Sequence, residues 1–186
     1  MTNPVLKAID ERRSIRAYTK EPVSQEQMDA ILSAALASPS ARNGQPWHFS
    51  VTTKQELIEK VNQAALKQLM QGADAKAVER MSQPGFSLFH GAPLVIFISA
   101  DAGGRYAVLD CGIAVQSIAL AAHSSGLGSV ILGLPLAAFE GPDKEALEKA
   151  LAFPHGSSFQ IAIAIGHPAA SKEKHPVGEG KITFVS

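Results

Sequence analysis

Cysteine occurs once in this 186-residue sequence, at Cys111. A single thiol forms no internal disulfide and builds no cysteine-rich zinc site. Neither sign of charge is in excess, since 17 Lys and Arg face 17 Asp and Glu. That balance gives no reason to expect broad nucleic-acid binding, where a basic face dominates. No apolar run reaches the roughly 18 residues of a membrane span, and the Met1–Asp10 stretch lacks the apolar centre of a signal peptide. The six histidines, at 48, 90, 123, 155, 167 and 175, show no metal-ligand spacing. Each reads as a lone surface or satisfied core residue, and no metal is expected. A nucleophile elbow, a P-loop, internal repeats and low-complexity tracts are also missing. What is present is a 46% hydrophobic chain with 18% charged residues, enough to pack a core. Its length suits about one domain, so residues 1–186 are expected to form one compact, soluble, cytoplasmic unit without membrane or nucleic-acid partners.

Capping signals and apolar spacing divide the chain. Asn3-Pro4 opens a helix to about Glu11. Ser24-Gln25-Glu26-Gln27 is a capping box before Met28, Ile31, Leu32, Ala35 and Leu36, and Pro39 stops that helix. Trp47–Val51 reads as a strand. Thr53-Lys54-Gln55-Glu56 is a second capping box, followed by Leu57, Ile58, Val61, Ala65 and Leu69 at helical spacing. Residues 71–92 carry no decisive pattern. Leu94–Ile98, Val130–Leu132 and Phe159–Ile165 read as buried strands, and Ile182–Val185 as a further one. Tyr106–Ser125 is a helix apolar nearly all round, which fits a buried helix or one lying in a subunit interface. Pro142-Asp143 starts a last helix to about Ala152. Helices first, then helices and strands mixed, predict an α+β layered domain.

Three segments could carry chemistry. Arg12-Arg13-Ser14-Ile15-Arg16 concentrates three of the six arginines. Guanidinium groups match phosphate oxygens with paired donors, although a solvated charge cluster fits the same spacing. The segment from Ser38 to Trp47 holds Asn43 and Gln45, whose amides can meet the edge of a heteroaromatic ring, on a loop stiffened by Pro39 and Pro46. An ordinary polar turn fits it as well. The glycines after the apolar helix do not make a dinucleotide fingerprint. Gly126 and Gly128 read as a helix cap and a tight turn. Gly133 ends a buried strand, where a backbone amide can approach a flat ligand. Cys111 reads as a packing residue. Asp110 beside it calls for a basic partner or an interface. Side chains supply so little reactivity that a cofactor is expected to carry it.

Arg12–Arg16, then Pro39-Ser40-Ala41-Arg42-Asn43-Gly44-Gln45-Pro46-Trp47-His48-Phe49, resemble the FMN-dependent nitroreductase family. Gln116 in the apolar helix, Gly126-Leu127-Gly128, Gly133 and Ile165-Gly166-His167-Pro168 continue the likeness over essentially the whole chain. The resemblance implies a central, mainly antiparallel sheet flanked by helices in an intertwined homodimer with FMN at the interface. It implies that Arg12, Arg13, Ser14 and Arg16 hold the phosphate, ribityl chain and pyrimidine edge. Pro39, Ser40, Ala41 and Asn43 would come from the partner subunit. The Gly133 amide would lie near flavin N5, with no catalytic side chain. Lys172 and Lys174 are the candidates to close on the phosphate. Ser117 stands where the family often has Asn. The implied activity is hydride transfer from NADH or NADPH through FMN to a nitroaromatic or quinone. A flavin-binding protein without turnover and a flavin-free phosphate-binding domain are the other readings.

Overall fold

Four strands form the centre of the molecule: β1 (Trp47–Thr52), β2 (Leu94–Asp101), β3 (Gly128–Leu132) and β4 (Ser157–Gly166). They lie in the order β1-β2-β4-β3, and every neighbouring pair is antiparallel. The computed structural model describes residues 3–101 and 103–185. Around the sheet lie α1 (Pro4–Glu11), α2 (Gln25–Leu36), α3 (Gln55–Gln71), α4 (Ala75–Met81), α5 (Ala107–Ser124) and α6 (Lys144–Ala150). Short 3-10 turns occur at Ala41–Asn43 and Leu134–Phe139. The architecture is the expected α+β fold with an antiparallel sheet.

The sheet is covered on both sides. Val95 and Phe97 of β2, Val130 and Leu132 of β3, and Ala162 and Ala164 of β4 pack against α3, Phe139 and Leu147. Leu94, Ile96 and Ile98, with Ile163 and Ile165, pack the other way onto Ile31 and Ala35 of α2 and onto α5. This is why the strands read as continuous apolar runs rather than alternating ones. Between Ile98 and Ser99 the register with β4 shifts by one residue, with Ile98 opposite Ile161 and Ser99 opposite Phe159.

Most ends are set by local hydrogen bonds. The Asn3 side chain accepts from the Val5 and Leu6 amides at 2.9 and 3.3 Å. The Ser24 box is complete, with the Gln27 amide donating to Ser24 Oγ and the Ser24 amide to Gln27 Oε1. The Thr53 box does not form. Lys54 is the N-cap of α3 without a side-chain bond, because the Lys54 amide donates to Thr52 Oγ1 at 3.1 Å and the helix starts one residue late. At the end of α5, Gly126 has φ +78°. Its amide and that of Leu127 return to the His123 and Ala122 carbonyls at 3.0 and 2.9 Å, a Schellman cap.

Two segments gain definite bounds, and one further expectation is corrected. The undecided stretch 71–92 contains α4, capped by Asp74, whose carboxylate accepts from the Ala77 amide at 2.8 Å. The last helix begins at Lys144 rather than Pro142. Ile182–Val185 is not a strand: the segment has no regular structure, and Phe184 is 94% exposed. Its β-forming side chains lie against no sheet among the described residues, and propensity without a paired neighbour does not make a strand.

Helix α5 is long and apolar enough, by length and composition, to cross a membrane. Ala107, Asp110, Cys111, Ala114, Val115, Ile118, Ala119 and Ala122 are nevertheless buried in the protein, as in the core helix of a layered domain.

Candidate functional site

The arginine cluster sits on an extended arm, residues 12–19, laid along the free edge of β3. The Ile15 amide donates to the Ser129 carbonyl at 2.9 Å, and Ser14 forms a parallel bridge with Ser129. Further on, Tyr18 bridges Pro168, and the Thr19 and Ala169 amides donate to His167 and Ala17 at 2.9 Å. The approach depends on Gly128. A Cβ there would sit 3.0 Å from Ile15 Cβ and Cγ1, so this glycine serves close packing in a strand rather than a tight turn. The arm is tied at both ends. One guanidinium nitrogen of Arg13 donates to the Asp10 and Arg12 carbonyls at 2.6 and 2.8 Å. Tyr18 donates its hydroxyl to the Ile15 carbonyl at 2.7 Å, and burial raises its phenol well above the usual range.

The chain end meets the arm. A cleft of about 330 Å³ is lined by Glu11, Arg13, Ile15, His123, Gly126–Ser129, Pro168 and Lys172. Of the two candidate lysines, Lys172 lines this cleft. Lys174 turns back to Asp10 in an exposed ion pair, which lowers the Asp10 carboxyl below its ordinary value. Gly133 lies past the far end of β3, exposed, with open space where a side chain would stand.

The second motif forms a strained, braced loop. Arg42, Asn43 and Gln45 all have left-handed backbone, with φ of +55°, +54° and +45°. Such conformations are costly for residues with a Cβ and persist where surrounding structure enforces them. Here the Gln45 amide donates to Ser40 Oγ, and the Gln45 side chain to Asn43 Oδ1, both at 3.0 Å. The Ala41 amide donates to Asp110 Oδ1 at 3.1 Å. Asp110, 5% exposed, therefore takes a backbone amide as a partner, where the sequence called for a basic side chain or an interface. Asn43 and Gln45 point outward. The cleft beside Arg13 contains none of Pro39, Ser40, Ala41 or Asn43.

Cys111 is buried, and its thiol is pushed up to about 11 by burial and by Asp110. It is a packing residue and not a nucleophile at neutral pH. No group of three or more His, Cys, Asp or Glu suited to a metal occurs among the described residues. The outward face of α5 carries Val108 at 71% and Leu109 at 63% exposed, with Gly112, Ile113, Gln116, Ser117 and Leu120 beside them. Val115 and Ile118, equally apolar in sequence, turn inward. His90 is half-buried, and burial, then the Arg16 charge, holds its imidazole below the ordinary range.

The family model described as the nitroreductase family matches residues 9–167. The chain is 36% identical to a nitroreductase with bound FMN from Desulfitobacterium hafniense, covering 100% of both chains with a TM-score of 0.92. A nitroreductase with bound FMN from Bacteroides fragilis is 27% identical, again over 100% of both, with a TM-score of 0.91. The NAD(P)H FMN reductase of Bacillus subtilis is 33% identical over 187 residues, 94% of this chain and 70% of that protein.

Asp110→Ala leaves the Ala41 amide without its acceptor. A fully buried donor so orphaned costs about 1–3 kcal/mol, and the part-buried Ala41 amide sets the expectation at about 1 kcal/mol. Urea unfolding is expected to show a loss of that size, and amide exchange at Ala41 is expected to accelerate more than exchange in β2. Equal exchange in both proteins contradicts the bracing role.

Proposed function

The chain belongs to the nitroreductase family, and from that premise we propose that it passes hydride from NADH or NADPH, by way of FMN, to an electron-poor nitroaromatic or quinone. As a member it is an NAD(P)H-dependent FMN oxidoreductase. We take residues 1–186 as one FMN-binding domain working in the cytoplasm, where the nicotinamide donor is made.

The observation that carries this reading is the convergence of Arg13 and Lys172 on one cleft at the start of β3, with Gly133 open beyond its other end. The donor set fits FMN. Arg12, Arg13, Ser14 and Lys172 offer charge-assisted donors for a phosphate. Arg16 would meet the pyrimidine edge, where its charge would favour the electron-rich state of the ring. The Gly133 amide approaches without a side chain in the way. FMN supplies the redox chemistry. The protein orients it, and the protons that the acceptor needs come from solvent.

The apolar outward face of α5 and the braced loop 39–43 belong, in this reading, to a homodimer. Pro39, Ser40, Ala41 and Asn43 of one subunit lie against the ring held by the other. Val108 and Leu109 would otherwise leave a broad apolar face in water.

Arg16→Ala removes a charge-assisted contact of about 1.5–3 kcal/mol, so FMN affinity falls roughly tenfold to hundredfold. Titration of the apo-protein with FMN measures it, and an unchanged dissociation constant contradicts the assignment. Sedimentation is expected to show one species near twice 19.6 kDa, whereas a stable FMN-loaded monomer removes the shared site. Donor and acceptor share one open face of the flavin. Double-reciprocal plots are therefore expected to be parallel, and anaerobic NADH or NADPH to bleach the yellow protein until a quinone restores it. Failure of both nicotinamides to bleach it favours a flavin-binding protein without turnover.

A further inference from the structure

The cleft beside Arg13 holds a carboxylate where an anion is to bind. Glu11 lines it together with Arg13 and Lys172. His123 belongs to the same lining, and its Nε2 stands 3.9 Å from Glu11 Oε2. The other carboxylate oxygen of Glu11 faces Lys7 at 3.9 Å along α1. Glu11 is the last residue of α1, and His123 lies in the last turn of α5, so two helix ends meet at the cleft. In the sequence His123 has no partner at metal-ligand spacing; the fold gives it a carboxylate and two cations as neighbours in one cleft.

A phosphate monoester carries about two negative charges near neutral pH. In this cleft it would meet the cations of Arg13 and Lys172 and, in Glu11, a like charge. A like charge a few ångströms away weakens the binding of an anion unless it is offset. Arg13 spends one guanidinium nitrogen on the Asp10 and Arg12 carbonyls, which fixes the fork while its other nitrogens carry further donors. An imidazole ordinarily gains its charge near pH 6.5, whereas lysine and arginine titrate far above that. The C-terminal turn of a helix favours a cation. Among the described residues the charged groups about the ring are Glu11 and, through it, Lys7 on α1, Arg13 on the arm and Lys172 near the chain end.

We propose that His123 is a further phosphate-binding residue, which stands against Glu11 and takes up a proton from solvent when a phosphate monoester enters the cleft. For its ligand the inference rests on the FMN reading above. The added proton offsets Glu11, so the phosphate meets three cationic side chains, Arg13, Lys172 and His123, against one carboxylate. Because binding draws in a proton, affinity falls as pH rises through the range where the unliganded ring is neutral.

Titration of the apo-protein with FMN between about pH 6.5 and 8, above the phosphate's own titration near 6, tests the proposal. Wild-type affinity is expected to fall about threefold to tenfold over that interval. Calorimetry in buffers of different ionisation enthalpy is expected to show a fraction of a proton taken up. His123→Gln is expected to show neither effect, and riboflavin, which lacks the phosphate, is expected to bind wild type without pH dependence. A flat wild-type affinity overturns the proposal, as does a pH dependence that survives in His123→Gln or is shared by riboflavin. Inorganic phosphate at constant ionic strength separates the inference from the flavin. By NMR at about pH 7, the charged fraction of the His123 ring is expected to rise when phosphate is added, and to start lower in Glu11→Gln. A ring indifferent to phosphate overturns this inference and leaves the FMN reading standing. A protein that binds no flavin, yet charges His123 when phosphate is added, overturns the FMN reading alone.

Discussion

Ile15 occupies the space that a side chain at residue 128 would need. Because Gly128 leaves that space empty, the arm can lie close enough to β3 for the Ile15 amide to reach the Ser129 carbonyl. Everything assigned to the cradle follows from this approach. Ser14 and Arg16 flank Ile15, and Arg13, Gly126–Ser129 and Lys172 line one cleft. A Cβ at residue 128 would stand 3.0 Å from the Ile15 side chain, which would have to give by a few tenths of an ångström. The Schellman cap just before Gly128 ends α5 with two hydrogen bonds and a buried Leu127, so β3 starts at a fixed place.

Features set by short-range chemistry were legible in the sequence. The Ser24–Gln27 box, the Asn3 cap with Pro4, and the Gly126 helix end formed as the local pattern required. The buried strands were legible from their apolar runs, though a run buried on both faces looks the same in parallel and antiparallel sheets. Where two local solutions competed, the sequence did not decide. Thr52 captured the Lys54 amide, and the Thr53 box was lost. Ile182–Val185 has the side chains of a strand, but pairing is a property of what lies alongside. In α5, composition alone does not separate inward Val115 and Ile118 from outward Val108 and Leu109. A helix apolar on every side carries no phase.

The candidate site was legible as segments and not as an arrangement. The arginines, the Asn43 loop and Gly133 each stood out for their residue types. Only the structure separates Lys172, at the cleft, from Lys174, paired with Asp10. Only the structure gives Asp110 a backbone amide as its partner. That bond joins the helix with the exposed apolar face to the strained loop. A partner subunit pressing on Val108 and Leu109 would bear on the same helix that holds Ala41.

The arm's docking has a consequence for how the chain folds. Tyr18 closes its hydrogen bond with Ala164 across 146 residues of sequence. Contacts of such separation form late, because the ends of a long loop must first be brought together. The arm has nothing to rest on until β3 and β4 exist. The arginines therefore remain undocked until that pairing is made. An anion held between Arg13 and Lys172 would tie together two segments distant in sequence, and so would favour the docked arm over the free one.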